Sequence, residues 1–230
     1  MKCILICFLG IDGSGKSTLS KYLYEELKKR NYNVLYTWWM EGENSLLRRL
    51  LRRIGRQKLS NLTSKKTKAF KKSIALKIFR ALFPNIVLLD YLRFGIVKAW
   101  FPKILSRGKK VMIFDRFIYD VILGLSREFE FSDSKKERLL KIFSRLIPSP
   151  DIIFIVDVPP EISYLRKKGE IKSLEDAKAI YDEYQDFLPI LSRLTKGKIV
   201  RIDNSGEIDL AKAKVLEITL KFLDGDVNGG

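Results

Sequence analysis

Eight residues near the N-terminus, Gly10-Ile11-Asp12-Gly13-Ser14-Gly15-Lys16-Ser17, constrain this chain more than any other stretch. They follow the pattern G-x-x-x-x-G-K-[ST], and their setting fits it. The apolar run from Cys3 to Leu9 predicts a buried strand, and Thr18 to Arg30 predicts a helix with Leu19, Leu23 and Leu27 on one face. A strand feeding a glycine-rich turn and then a helix turns backbone N–H groups and a helix N-terminus toward one point, which is a cradle for a phosphate. Gly10, Asp12, Gly13, Ser14, Gly15, Lys16, Ser17 and Thr18 are therefore the candidate phosphate-binding residues. In that pattern the lysine reaches the β- and γ-phosphates of a nucleoside triphosphate and the Ser17 hydroxyl ligates Mg²⁺.

At 230 residues the chain is one α/β domain, or one domain with an insertion, and is long enough for a full core. No apolar run reaches the roughly 20 residues of a membrane span. Met1 to Leu9 lacks a small-residue cleavage site and runs straight into the glycine-rich loop, so it reads as the first strand of a cytoplasmic protein. Cys3 and Cys7 lie four apart on that strand, share one face and are expected to be buried free thiols. With no histidine in the chain, His-based catalysis and His–metal sites are excluded.

The net charge of +17 is unevenly spread. From Asn44 to Leu89 there is no acidic residue and there are thirteen basic ones, from Arg48 to Arg80. This stretch reads either as a surface for a polyanion or as a solvated face.

Strand and helix patterns alternate along the rest of the chain. Val34 to Trp39 predicts a strand. Leu46 to Ile54, Lys71 to Phe83 and Asn85 to Ser106 predict helices, the last interrupted by Pro102. Lys109 to Phe114 predicts a buried strand ending at Asp115-Arg116, and Ser134 to Leu146 a helix. Asp151 to Val156 is the most apolar strand and ends at Asp157, which could serve as a helix N-cap. Pro160 to Lys167 predicts a helix, Lys168 to Ser173 a basic loop, and Leu174 to Leu194 a long helix. Lys198 to Ile202 predicts the last strand and Leu210 to Leu223 the last helix. This alternation implies a three-layer P-loop NTPase fold: a parallel sheet with helices on both faces and ligands at the strand C-terminal ends. The expected organisation is one domain over 1–223, with a basic helical insertion at 44–83, a lid loop at 166–176 and a polar tail at 224–230. Asp12, Asp115, Arg116 and Asp157 all fall at the ends of predicted strands.

These pieces, in this order, resemble the thymidylate kinase family of P-loop nucleoside-monophosphate kinases. The resemblance rests on Phe8 to Thr18, on Asp115-Arg116-Phe117 for the family's Asp-Arg-Tyr, on Asp157-Val158-Pro159-Pro160-Glu161 with Arg166 downstream, and on Val200-Arg201-Ile202-Asp203-Asn204. It covers residues 1–40 and about 90–222. It implies ATP- and Mg²⁺-dependent phosphoryl transfer to a nucleoside monophosphate, with dTMP the first candidate. By the same resemblance Lys16, Asp12, Arg116 and Arg166 carry catalysis. Asp12, Arg93, Asp115 and Arg116 bind the acceptor, and Ser17 and Asp115 (through water) hold the metal. Arg166, Lys167, Lys168 and Lys172 form the lid, and Asp203 and Asn204 lie beside the adenine. Family members are commonly homodimers. The chain departs from the pattern on the acceptor side. Leu9 replaces an acid, Trp38-Trp39-Met40-Glu41-Gly42 stands for Arg-Glu-Pro, Ile118 to Leu123 replaces a polar run, and Leu89 and Phe94 flank the place of the base-stacking Phe. Two other readings stay open: a kinase of a nucleoside or a nucleic-acid 5′ end, and a non-catalytic nucleotide-binding protein that docks a polyanion through the basic insertion.

Overall fold

The computed structural model describes residues 3–38, 84–105 and 110–225. The basic insertion at 44–83 with its two expected helices, and the tail beyond 225, lie outside these residues. The described chain runs β1 (Cys3–Leu9), α1 (Lys16–Lys29), β2 (Asn33–Trp38) and α2 (84–95). A π-helical turn (Ile96–Trp100) leads into α3 (Phe101–Leu105), then β3 (Lys110–Asp115), α4 (Ile118–Phe129) and α5 (Asp133–Leu146). It ends with β4 (Ile152–Asp157), α6 (Pro160–Arg166), α7 (Leu174–Leu194), β5 (Lys198–Asp203) and α8 (Ile208–Gly225).

All seven residues of β1 are buried because the strand sits in the centre of the sheet with helices on both sides. Side chains alternate across a strand. Cys3, Leu5, Cys7 and Leu9 therefore join one apolar cluster with Phe117, Ile122, Phe143 and Phe187, while Ile4, Ile6 and Phe8 join another with Leu19, Leu23, Val215 and Leu223. Helices α2, α4, α5 and α7 cover the first face, and α1 and α8 the second. Both cysteines are buried and neither is in a disulfide, as expected.

The sheet is wholly parallel, in the order β2-β3-β1-β4-β5. From β1 the chain crosses outward to β2 and returns through β3 on one side, then continues to β4 and β5 on the other. The switch point of a doubly wound sheet, where ligands bind, thus falls at the C-terminal end of β1. Register sets what meets there. Phe8 lies opposite both Asp115 of β3 and Phe154 of β4, so Asp115 closes its strand beside the start of the glycine-rich loop.

The structure adds three details to this frame. Helix α4 has no counterpart in the pattern reading: the run Ile118–Leu125 carries Asp120 as its only charged residue, and the exposed side at helical spacing (Asp120, Gly124, Arg127, Glu128) shows only over the helix's full length. The helix expected from Asn85 to Ser106 is found running without a gap over 84–105, but it widens into a π-turn at Ile96–Trp100, just before Pro102, which has no N–H to donate back to the preceding turn. The basic loop expected at Lys168–Ser173 is found one residue longer: Arg166 closes α6 and Leu174 opens α7 behind a Ser173 cap, leaving 167–173 between them. Among the described residues no helix is long and apolar enough to cross a membrane.

Candidate active site

The loop between β1 and α1 needs its glycines. Gly10, Gly13 and Gly15 have φ of 146°, 79° and 95°, a region L side chains rarely adopt. Space is closed as well. A Cβ on Gly10 would run into the Val156 carbonyl of β4, one on Gly13 would come within 2.9 Å of the Ser163 carbonyl, and one on Gly15 would strike Asn204 Nδ2. The loop is held in place by distant residues. Asn204 Nδ2 donates to the Ser14 carbonyl (2.7 Å), Ser163 Oγ donates to the Asp12 carbonyl (2.6 Å), and Arg166 donates to the carbonyls of Gly13 (3.3 Å) and Asn204 (2.9 Å). Gly15 is also the N-cap of α1 and carries no side chain to cover the first turn's free N–H groups. They remain available to an anion, and the helix dipole favours one there.

Lys16, only 4% exposed, turns its ammonium onto the carbonyls of Gly10 (2.5 Å) and Ile11 (2.7 Å) of its own loop. Burial depresses its pKa, an effect countered by the charges of Asp120 and Asp12. Asp12 Oδ1 lies 3.8 Å from that ammonium and is bonded to the Arg116 guanidinium. Burial would raise the Asp12 carboxyl, but Arg116 and Lys16 outweigh it and hold it below the usual carboxylate range. Arg116 is raised in turn: burial opposes its charge, while Asp120 and Asp12 favour it more strongly.

Arg116 also sits at φ 68°, in the left-handed region, with its N–H bonded to the Phe8 carbonyl (3.1 Å). A long-chain residue in that conformation costs about 1–2 kcal/mol. Here it turns the guanidinium from the end of β3 back over the glycine-rich loop. Beneath it, Asp115 accepts a bond from the Tyr36 hydroxyl (3.0 Å), and its other oxygen is buried without a hydrogen-bond partner. Burial and the Asp115 charge push the Tyr36 hydroxyl's pKa upward. Asp12, Gly13, Gly15, Lys16, Ser17, Thr18, Arg116, Arg166, Lys167 and Asn204 together line a cleft of about 380 Å³.

The structure therefore brings together the loop residues with Arg116, Arg166, Lys167 and Asn204. Others stay apart. Arg93 is 79% exposed and lies 3.8 Å from Asp90, away from the cleft lining. Lys168 and Lys172 are exposed, and Lys167 pairs with Glu170 (2.8 Å). Asp203 accepts from the N–H (2.9 Å) and hydroxyl (2.6 Å) of Ser205. Asp157 does not cap α6, whose N-cap is Pro159; it lies 3.7 Å from Arg201 instead.

Three positions were not singled out from the sequence: Ser163, Tyr36 and Asp120. Asp120 takes a bond from Tyr184 (3.2 Å) on one oxygen and keeps the other buried without a partner. Burial pushes its carboxyl up to about 6 despite the nearby charges of Lys16 and Arg116. One signal was available, since Asp120 is the only charged residue between Arg116 and Arg127.

Fold and site together define a P-loop domain of the nucleotide-kinase type. A sequence profile of the KAP family P-loop domain matches residues 6–203, so the chain belongs to that family, and its sequence is also similar to thymidylate kinases. A probable thymidylate kinase of Sulfurisphaera tokodaii is 25% identical over 221 residues, spanning 93% of this chain and 94% of the relative. A thymidylate kinase of Exiguobacterium is 26% identical over 227 residues, spanning 97% of each. The crystal structure of thymidylate kinase from Ehrlichia chaffeensis superposes with a TM-score of 0.55 at 21% identity, covering 95% of this chain and all of that one.

Proposed function

We propose that the protein transfers the γ-phosphoryl group of ATP to a nucleoside monophosphate, with dTMP the leading acceptor. The observation that carries this reading is the Asp12–Arg116 pair. It joins the phosphate cradle at the end of β1 to a cation from the end of β3, and so puts a second anion site within reach of the first. A kinase needs that arrangement, because phosphoryl transfer depends on positioning and charge stabilisation more than on covalent chemistry. Relatives described as thymidylate kinases over their whole length support the choice of acceptor.

In this reading the N–H groups at the start of α1 hold the donor's phosphates. Lys16 exchanges its two loop carbonyls for β- and γ-phosphate oxygens, which restores the counter-charge that burial denies it. Arg116 releases Asp12 to take the acceptor's phosphate, and Asp12 is then free for the acceptor's sugar hydroxyl. Arg166 and Lys167 place positive charge beside Gly13, where the migrating group passes. The residues suit Mg²⁺: a hydroxyl at Ser17 and carboxylates at Asp12 and Asp115, the latter with a buried unpartnered oxygen, are hard oxygen donors. The ion would neutralise phosphate charge. Among the described residues no three acidic, Cys or His groups gather into a cage, so the nucleotide's own phosphates would supply much of its coordination. We place the reaction in the cytoplasm, with its ATP pool.

The test is a panel of nucleoside monophosphates with ATP and Mg²⁺, reading ADP release and the product diphosphate. dTMP-dependent ADP release that Lys16→Met abolishes is expected. ADP release that no monophosphate stimulates would refute the proposal.

A further inference from the structure

Asp115 closes β3 with a side chain that is only 1% exposed. One of its carboxylate oxygens takes the Tyr36 hydroxyl (3.0 Å), and the other is buried with no hydrogen-bond partner. A buried carboxylate oxygen left in that state is costly to the fold and calls for a ligand to explain it. Asp115 also stands opposite Phe8, two residues before the glycine-rich loop, at the end of the sheet where ligands bind.

Tyr36 decides where that second oxygen lies. In the β2–β3 register Tyr36 pairs with Ile113, and Asp115 is two residues further along β3. Both side chains therefore leave the same face of the sheet, the one that α1 covers. From α1 the Tyr24 ring packs on the Tyr36 ring, 5.8 Å between centroids. Ser20, fully buried on α1, lies in hydrogen-bonding range of the Tyr36 hydroxyl and also donates to the Ser17 carbonyl (3.3 Å). The phenol is thus clamped between the helix that carries Ser17 and the strand that ends at Asp115. A carboxylate with one oxygen tied to a held ring cannot turn freely about its Cβ–Cγ bond, so its other oxygen keeps one place.

We propose that Tyr36 is a positioning residue for the metal side of the site: its hydroxyl holds Asp115 so that the unpartnered oxygen stays set for the hydrated Mg²⁺ of the nucleotide. The inference rests on the phosphoryl-transfer reading, which gives Ser17 and Asp115 to that ion. Tyr36 itself touches neither ion nor nucleotide and acts only through the carboxylate. Groups that orient a metal-holding carboxylate in this way contribute about 10- to 100-fold to metal affinity. A purely structural role would give Tyr36 an effect on stability and none on the metal.

The test is calorimetric titration of the full chain with the non-hydrolysable β,γ-imido analogue of ATP, in Mg²⁺ and in EDTA. Each protein then yields the factor by which Mg²⁺ tightens nucleotide binding. Tyr36→Phe keeps the ring and removes the hydroxyl. It should cut that factor at least about 10-fold, with the affinity in EDTA little changed. Asp115→Asn should cut it as well, and Tyr36→Phe should cost nothing further in the Asp115→Asn background. A Tyr36→Phe factor equal to that of the wild type, or losses that multiply in the double variant, would overturn the inference. Ser17→Ala, which should lose the factor whatever Tyr36 does, separates the inference from the reading beneath it. If only Tyr36→Phe keeps the wild-type factor, the reading stands and the role of Tyr36 falls. If Ser17→Ala and Asp115→Asn keep it too, the placement of the ion falls with it.

Discussion

Asp120 offers a direct measurement of how the site's electrostatics weigh on the fold. Its ordinary value is 3.8, and burial pushes it to about 6 in the folded protein, with Lys16 and Arg116 only partly compensating. A carboxyl raised on folding binds its proton more tightly in the native state, so stability falls as pH rises between those two values and stays low above them. The gap amounts to roughly 3 kcal/mol at neutral pH, using 1.36 kcal/mol per tenfold. Asp120→Asn mimics the protonated form and keeps an oxygen for the Tyr184 hydroxyl, so it removes the charge with little change in packing. The assay is urea unfolding of both proteins from pH 3.5 to 7.5. The two midpoints should coincide near pH 3.8 and diverge to a plateau above pH 6. There the variant should be more stable by up to about 3 kcal/mol, a midpoint shift of roughly 1 M at a slope near 3 kcal/mol/M. Parallel profiles, or a variant less stable at pH 7, would refute the reasoning.

Three further outcomes follow from the cradle. Gly15→Ala forces a side chain to φ 95° and against Asn204, and should cost at least about 1–2 kcal/mol in denaturant unfolding together with most ATP binding by calorimetry. Asn204→Ala leaves the Ser14 carbonyl without its buried donor and should cost about 1–3 kcal/mol, read as a loss of roughly 2–4 °C in Tm per kcal/mol. Arg116→Ala should raise the acceptor KM about 10- to 100-fold, from the 1.5–3 kcal/mol of a charged hydrogen bond, with ATP affinity little changed. Equal losses for donor and acceptor would place Arg116 on the donor side instead.

Local patterns gave away most of the elements. The seven-residue run of β1, the Gly–Lys–Ser turn and the Leu19–Leu23–Leu27 face of α1 lie within thirty residues, and each depends only on near neighbours. The alternation of strands and helices then implied a parallel sheet. Helix α4 stayed hidden because its first eight residues hold a single charge, Asp120, and its polar side is completed only by Arg127 and Glu128 near its end. The disturbance around Pro102 was visible, but its π-helical form was not, since that depends on how the chain repacks after losing one donor.

Sequence alone determined that a phosphate cradle follows the first strand and that Arg116 ends another, because short-range backbone chemistry imposes both. Only the tertiary structure decided what surrounds the cradle. Arg116 meets Asp12 across 104 positions, Asn204 meets Ser14 across 190, Asp120 lies near Lys16, and Arg93 turns away to solvent. Those meetings follow from strand register and from which helix packs on which face. Both are set by many weak apolar contacts between distant segments, and no local window of sequence contains that sum.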